Sequence, residues 1–160
     1  MSEKEFQLLC AKSPKLAAQI PVSKASATPK YRNVKVYVYS NGYVSYGEKL
    51  PKPAVPIAAF DSIKEYNRWN ELQLLVRAGK ISDLKRQEKI VIQEKIISNG
   101  IAIKEIAYKA DFVYNEGDTY VVEDVKPFDN ALQKHRLTKD FTLKWKLLQA
   151  KYPAYSFRIY

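Results

Sequence analysis

The stretch Tyr108–Lys126, YKADFVYNEGDTYVVEDVK, leaves the chain few ways to fold. Its centre, Asn115–Asp118, is turn chemistry: glycine accepts positive φ, and Asn and Asp favour tight reversals. The flanks are rich in Val, Phe and Tyr and predict two strands, Lys104–Tyr114 and Thr119–Lys126. Pro127 ends the second, because it has no donor for the ladder. Alternation puts Asp124 and Lys126 on one face of their strand. Asp111 is expected on the side of Ala107, Lys109 and Val113, opposite Tyr108, Ala110, Phe112 and Tyr114. Two carboxylates and a lysine converging on one sheet face can hold a hard divalent cation and a water. The Val125 carbonyl is available as a neutral ligand.

The segments on either side extend this pair into a meander between helices. Lys89–Ser98 predicts a strand, turned by Ser98-Asn99-Gly100, with Ile81–Leu84 as a short connection before it. Asp61–Lys80 predicts a helix: Ser62 and Glu65 have capping-box spacing, and Gly79 supplies the stop. At 100° per residue, Glu65 lies on the line of Trp69, Leu72 and Val76, inside the apolar stripe. Two readings of Glu65 stand together. It caps the helix by reaching back to the Ser62 amide, or it is a buried carboxylate seeking a partner such as a metal ion. Downstream, residues 128–137 read as a loop carrying the lone His135. Thr138, with Asp140 in the first turn, opens a second helix running to Tyr152 along Phe141, Trp145 and Leu148. Tyr155–Tyr160 closes the chain as a strand. The order of the body is α-β-β-β-α-β, an α/β (α+β) class.

An N-terminal hairpin precedes this body: Asn33–Glu48, turned at Ser40-Asn41-Gly42, followed by the proline-rich connector Lys49–Pro56. Residues 1–20 carry a weak helical pattern (Phe6, Leu8, Leu9, Cys10, Leu16), and Ile20–Lys30 reads as a linker or mobile arm. The division expected is an arm over 1–30 and one folded domain over 31–160.

Charge sharpens the chemistry. Residues 1–60 hold nine basic and three acidic side chains, and residues 126–160 hold eight and two. Residues 61–125 hold ten and twelve, so two flanks of +6 enclose a centre of −2. Basic flanks suit a polyanion such as DNA, whose bound counterions they release; a basic chain is also simply a soluble one. One cysteine and one histidine make neither a zinc cluster nor a Cys-His relay. No glycine-rich phosphate loop is present, so no nucleotide cofactor is expected. No run of residues has the length and apolarity of a membrane span or a secretory leader, and a cytoplasmic protein is expected.

Asp111, twelve intervening residues, then Asp124-Val125-Lys126 resembles the PD-(D/E)XK nuclease motif. Glu65 matches the helix glutamate that many of those proteins carry before the motif, and the α-β-β-β-α-β order matches their restriction-endonuclease-like core. More narrowly, KYRN (Lys30–Asn33), FDSIKE, AGKISDLKRQ, ADFVY, VVEDVK and TKDFTLKWKLL are similar to a family of small phage-encoded nucleases of this fold. The resemblance implies Mg²⁺-dependent phosphodiester hydrolysis, with Mn²⁺ as a substitute, on branched DNA such as Holliday junctions. It assigns metal binding to Glu65, Asp111 and Asp124 and the catalytic lysine to Lys126. Lys30, Arg32, Gln87, Lys144 and Lys146 fall at positions suited to DNA contact. One-metal and two-metal schemes both stay open. Cutting two strands symmetrically implies a homodimer, with the N-terminal hairpin or arm as possible contacts. Ala110 stands for the motif's proline, and Pro127 follows Lys126 where relatives have glycine. Glu123 is expected to point away from the site. The alternatives are a catalytically silent DNA-binding protein of the same fold and a nuclease for flaps or linear ends.

Overall fold

The computed structural model describes residues 33–160, so the N-terminal arm, Lys30 and Arg32 lie outside the described residues. The first elements are β1 (Val36–Val38), β2 (Val44–Tyr46) and β3 (Ala58–Phe60). They form a small antiparallel sheet ordered β2-β1-β3. The Asn41-Gly42 turn stands where expected, with Gly42 at φ +81°. β3 is an addition to the sequence reading. Three residues between a proline connector and a helix carry too little alternation to reveal a strand, and only pairing with β1 defines it.

Helix α1 (Ile63–Arg77) begins at Ser62, whose hydroxyl accepts from the Glu65 N–H at 3.1 Å. It ends in a Schellman motif: Lys80 N–H donates to Leu75 O at 2.9 Å, Gly79 N–H to Val76 O at 3.0 Å, and Gly79 lies at φ +66°. The apolar line is corrected at its end. Leu72 is buried and Trp69 packs beside it, but Leu75 takes the core position and Val76 is exposed.

The main sheet has four strands ordered β11-β8-β7-β4. They are β4 (Ser82–Gln93), β7 (Ile106–Glu116), β8 (Thr119–Asp124) and β11 (Ser156–Ile159). β4, β7 and β8 run antiparallel, and β11 joins β8 in parallel. β4 starts at Ser82, well before the expected Lys89, so Ile81–Leu84 is not a mere connection. Its charged sequence hides a strand that the β7 ladder stabilises. β4 also stops at Gln93, and a separate hairpin follows: β5 (Ile96–Ser98) and β6 (Ile101–Ile103). Within residues 128–137, Phe128–Asp129 (β9) pairs with Lys134–His135 (β10), so the expected loop contains a short ladder. Helix α2 (Lys139–Lys151) is capped by Thr138, which accepts from Phe141 N–H at 3.2 Å.

The two helices cover opposite faces of the main sheet, since the consecutive residues Val121 and Val122 belong to different clusters. Leu72 and Trp69 of α1 pack with Phe112, Tyr114 and Val121. Phe141, Trp145 and Leu148 of α2 pack with Ile90, Tyr108, Ala110, Val113 and Val122. The protein is thus mixed α/β. Among the described residues, no helix is long and apolar enough to cross a membrane.

The clusters correct one expectation. Tyr108 and Ala110 face α2, whereas Phe112 and Tyr114 face α1, although all four are spaced by two. Side-chain parity therefore reverses at Asp111. β4 reverses at the same level: Ile90 faces α2, while Arg86 lies over Phe60 and over Trp69 of α1. Between them is Gln87, at φ +55°, a left-handed conformation that interrupts alternation. Directly paired residues are Arg86–Phe112 and Glu88–Ala110, so both strands turn over together at Gln87 and Asp111.

A candidate acidic centre where two strands part

Pairing of β7 with β8 ends at Phe112–Glu123. Asp111 and Asp124, the next residues on each strand, stand where the strands separate. There the Val125 N–H donates to Asp111 Oδ2 at 2.8 Å. Val125, expected to offer its carbonyl, meets Asp111 through this amide.

Glu65 reaches the same place from the first turn of α1. It is 5% exposed, and its Oε2 accepts from the Asp61 N–H at 3.0 Å, one residue before the expected Ser62 amide. Capping and burial thus coexist. The Gln87 side-chain amide joins the two acids: its Nε2 lies 3.4 Å from Glu65 Oε1 and 3.4 Å from Asp111 Oδ1. Sequence placed Gln87 as a phosphate contact, and the fold puts it between the carboxylates. The Arg86 guanidinium stands 3.8 Å from Glu65 Oε1 and donates to Ala59 O at 2.6 Å; its buried Nε has no partner among the described residues.

The electrostatics follow from burial. Burial and then the Asp111 charge push the Glu65 carboxyl above its ordinary range. Burial likewise pushes Asp111 up, against the pull of the Val125 N–H and the Lys126 charge. These two acids repel each other, and the Gln87 amide, the two backbone N–H groups, Arg86 and Lys126 together leave both carboxyls above their ordinary range.

Asp124 has different company. It is 2% exposed, and its two oxygens are taken by the Tyr108 hydroxyl and the Lys126 ammonium. Tyr108 can hold that position because its ring packs edge-on against Phe141 and Trp145, at 6.1 and 5.7 Å. The Lys126 ammonium also sits 4.5 Å from the Phe141 ring centre. Its burial lowers the lysine pKa, while the charges of Asp111 and Glu65 raise it. The backbone here is held by the residue after β11: Tyr160 N–H donates to Asp124 O at 2.9 Å, and Lys126 N–H to Tyr160 O at 3.0 Å. Lys64 donates to Lys126 O at 2.9 Å. His135 Nδ1 lies 3.4 Å from that same oxygen.

The fold therefore brings together Glu65, Gln87 and Asp111, and beside them Asp124, Val125 and Lys126. Among the described residues, no three His, Cys, Asp or Glu side chains converge as a ready metal cage. Lys144 pairs with Asp140 at 3.4 Å along α2, and Lys146 is exposed. Neither has a hydrogen bond or ion pair to the carboxylates. Tyr108, Arg86 and Lys64 were not marked by the sequence. Only the reversal of parity reveals Tyr108, since strict alternation gives no reason to aim its hydroxyl at Asp124.

Fold and site together define a mixed α/β protein with buried acids and a lysine at a fork in its central sheet. Residues 49–159 match the model of a family described as a protein of unknown function (DUF1064), and the chain belongs to that family. The match spans every candidate site residue except Lys30 and Arg32. No curated protein and no solved structure matches the chain.

Proposed function

We propose that the chain is a metal-dependent DNA endonuclease of the PD-(D/E)XK type, with a restriction-endonuclease-like core. Its proposed substrate is branched DNA such as Holliday junctions, cut by a homodimer in the cytoplasm of a phage-infected host. The observation that carries the reading is the under-compensated pair Glu65 and Asp111, bridged by Gln87, with Asp124 and Lys126 on the adjoining strand. The α1-β4-β7-β8-α2-β11 order and the basic flanks support it.

The donor chemistry fits a hard divalent cation such as Mg²⁺ or Mn²⁺. The buried Glu65 and half-buried Asp111 carboxyls keep raised pKa values although the Asp61 and Val125 N–H groups and the Gln87 amide bond to them, and a cation relieves their repulsion as no neutral group can. When bound, such an ion activates a coordinated water and offsets charge on the phosphoryl oxygens. Glu65 and Asp111 would hold it, and Asp124 would join them by exchanging its bond to Lys126. Asp111 is aimed by the Val125 N–H, and Asp124 by Tyr108. Lys126 orients the attacking water or donates toward the charge developing on phosphate, which its partly desolvated ammonium suits. Arg86 adds positive charge beside Glu65.

A silent DNA-binding protein is the rival reading, favoured by the engagement of both Asp124 oxygens within the protein. Four-way junction, flap and linear duplex, each incubated with the protein in Mg²⁺ or Mn²⁺, separate the possibilities. Junction cutting is expected to fall roughly 10²–10³-fold in Asp111→Asn and Lys126→Ala, while DNA binding persists. Binding without cutting of any substrate would establish the silent protein. Equal cutting of all three would remove the junction preference, and a preference for flap or linear ends would move the enzyme to that role.

A further inference from the structure

β5 and β6 form a two-stranded sheet of their own beyond the ends of β4 and β7. The breaks that set them apart are Glu94-Lys95 and Lys104-Glu105. None of residues 96–103 belongs to either core cluster. Ile97 and Ile101 are 75% and 69% exposed, and Ile96, Ile103 and Ile106 are exposed as well. The register pairs Ile96 with Ile103 and Ser98 with Ile101. One face of the hairpin therefore carries Ile96, Ile101 and Ile103, and the other carries Ile97 with Ala102. A lone two-stranded hairpin is marginal in water. Contiguous exposed isoleucines, unlike scattered ones, mark a surface that something covers.

Charge selects the occupant. Residues 96–103 contain no ionisable side chain, and at their base Glu94 and Glu105 offset Lys95 and Lys104. The chain as a whole carries +10. Two such copies repel over most of their surfaces and can approach through a neutral patch. A polyanion finds no charge on residues 96–103, and Lys89, the nearest basic residue on β4, is paired with Glu105. The strand edges carry neither the charges nor the prolines that commonly block edge-to-edge contact. A two-fold contact sets the same isoleucine face against itself, so a surface apolar on one copy is complementary by symmetry.

We infer that the β5–β6 hairpin is the surface through which two copies of this chain associate. The inference does not depend on the nuclease reading, because mass rather than activity tests it. Light scattering coupled to size exclusion, on the full chain at rising concentration, is expected to approach twice 18.4 kDa. The double substitution Ile101→Lys and Ile103→Lys, on one face of the hairpin, should raise the dissociation constant at least about 30-fold, with an unchanged circular-dichroism melt because both side chains are exposed. A second variant, Ile101→Cys in a Cys10→Ser background, should form a disulfide-linked dimer on mild oxidation. A monomeric wild type overturns the inference, as does a dimer that survives the lysine pair or an Ile101→Cys chain that does not cross-link. If the lysine pair leaves the mass unchanged but weakens binding to branched DNA, the hairpin is a wedge for DNA and the inference is again wrong.

Discussion

Glu123, buried, and Asp111, half-buried, are both acids near the strand fork, and they are treated in opposite ways. Glu123 faces α1 and receives two bonds from Arg68, at 2.6 and 2.9 Å, and one from the Tyr114 hydroxyl at 2.8 Å. Arg68 also pairs with Glu71 at 2.9 Å, and its guanidinium lies over the Tyr160 ring. This acid has a bidentate cation and a further donor, so its charge is matched within the protein. Asp111 has a backbone amide and a long contact to Gln87, and it faces a second acid. The difference separates an acid that fastens elements together from one left in need of positive charge.

The sharpest way to break this comparison is to cut the Glu123 pair. Glu123→Ala leaves the largely buried Arg68 with Glu71 alone and the Tyr114 hydroxyl without this acceptor, and a loss of about 3 kcal/mol is expected in urea unfolding. A loss below about 1 kcal/mol would mean that Glu123 fastens nothing.

Next in size is the opposite result at the other acid. Asp111→Asn should stabilise the protein in chelator, read as a rise of about 2–4 °C in melting temperature. The sign follows from the direction of the shifts. Glu65 and Asp111 hold protons more tightly folded than unfolded. Their contribution is therefore most favourable below the unfolded values, 4.5 and 3.8, and is lost as pH rises through the raised folded values. Asp111→Asn should flatten that decline, and Mg²⁺ should raise the melting temperature of wild type but not of the variant. A variant less stable than wild type in chelator would show Asp111 to be compensated after all.

The smallest effect is expected at Tyr108. Tyr108→Phe keeps the ring against Phe141 and Trp145 and removes one bond to Asp124. A cost of about 1 kcal/mol in stability is expected, with cleavage falling more than binding. Loss of binding with intact cleavage would remove Tyr108 from the support of Asp124.

Much of this arrangement is readable in the chain itself. Ser62 with Glu65, Gly79, the Asn-Gly turns and Pro127 are local signals whose geometry does not depend on distant partners. Glu65 was legible as buried because helical periodicity is rigid enough to project over a whole turn. Gln87 and Tyr108 were not legible in their roles. Their placement depends on a reversal shared by two strands, and a period-two rule has no term for it. The start of β4 was hidden for a related reason: SDLKRQEK has no apolar alternation, and β7 alone makes it a strand. Arg86 is half-buried by stacking on Phe60 and Trp69, contacts that arise between elements and leave no mark in local sequence.

The joint reversal at Gln87 and Asp111 also governs where this chain tolerates a change of length. One residue added to β7 between Asp111 and Phe112 would break the register that sets Phe112 and Tyr114 against α1 and Asp111 beside Glu65. Folding and chemistry would fail in the same step, so selection acts on that spacing twice. Beyond Gln93 no such double penalty applies: a change of length at the β5–β6 end would leave the carboxylates in place and alter only the surface through which copies associate.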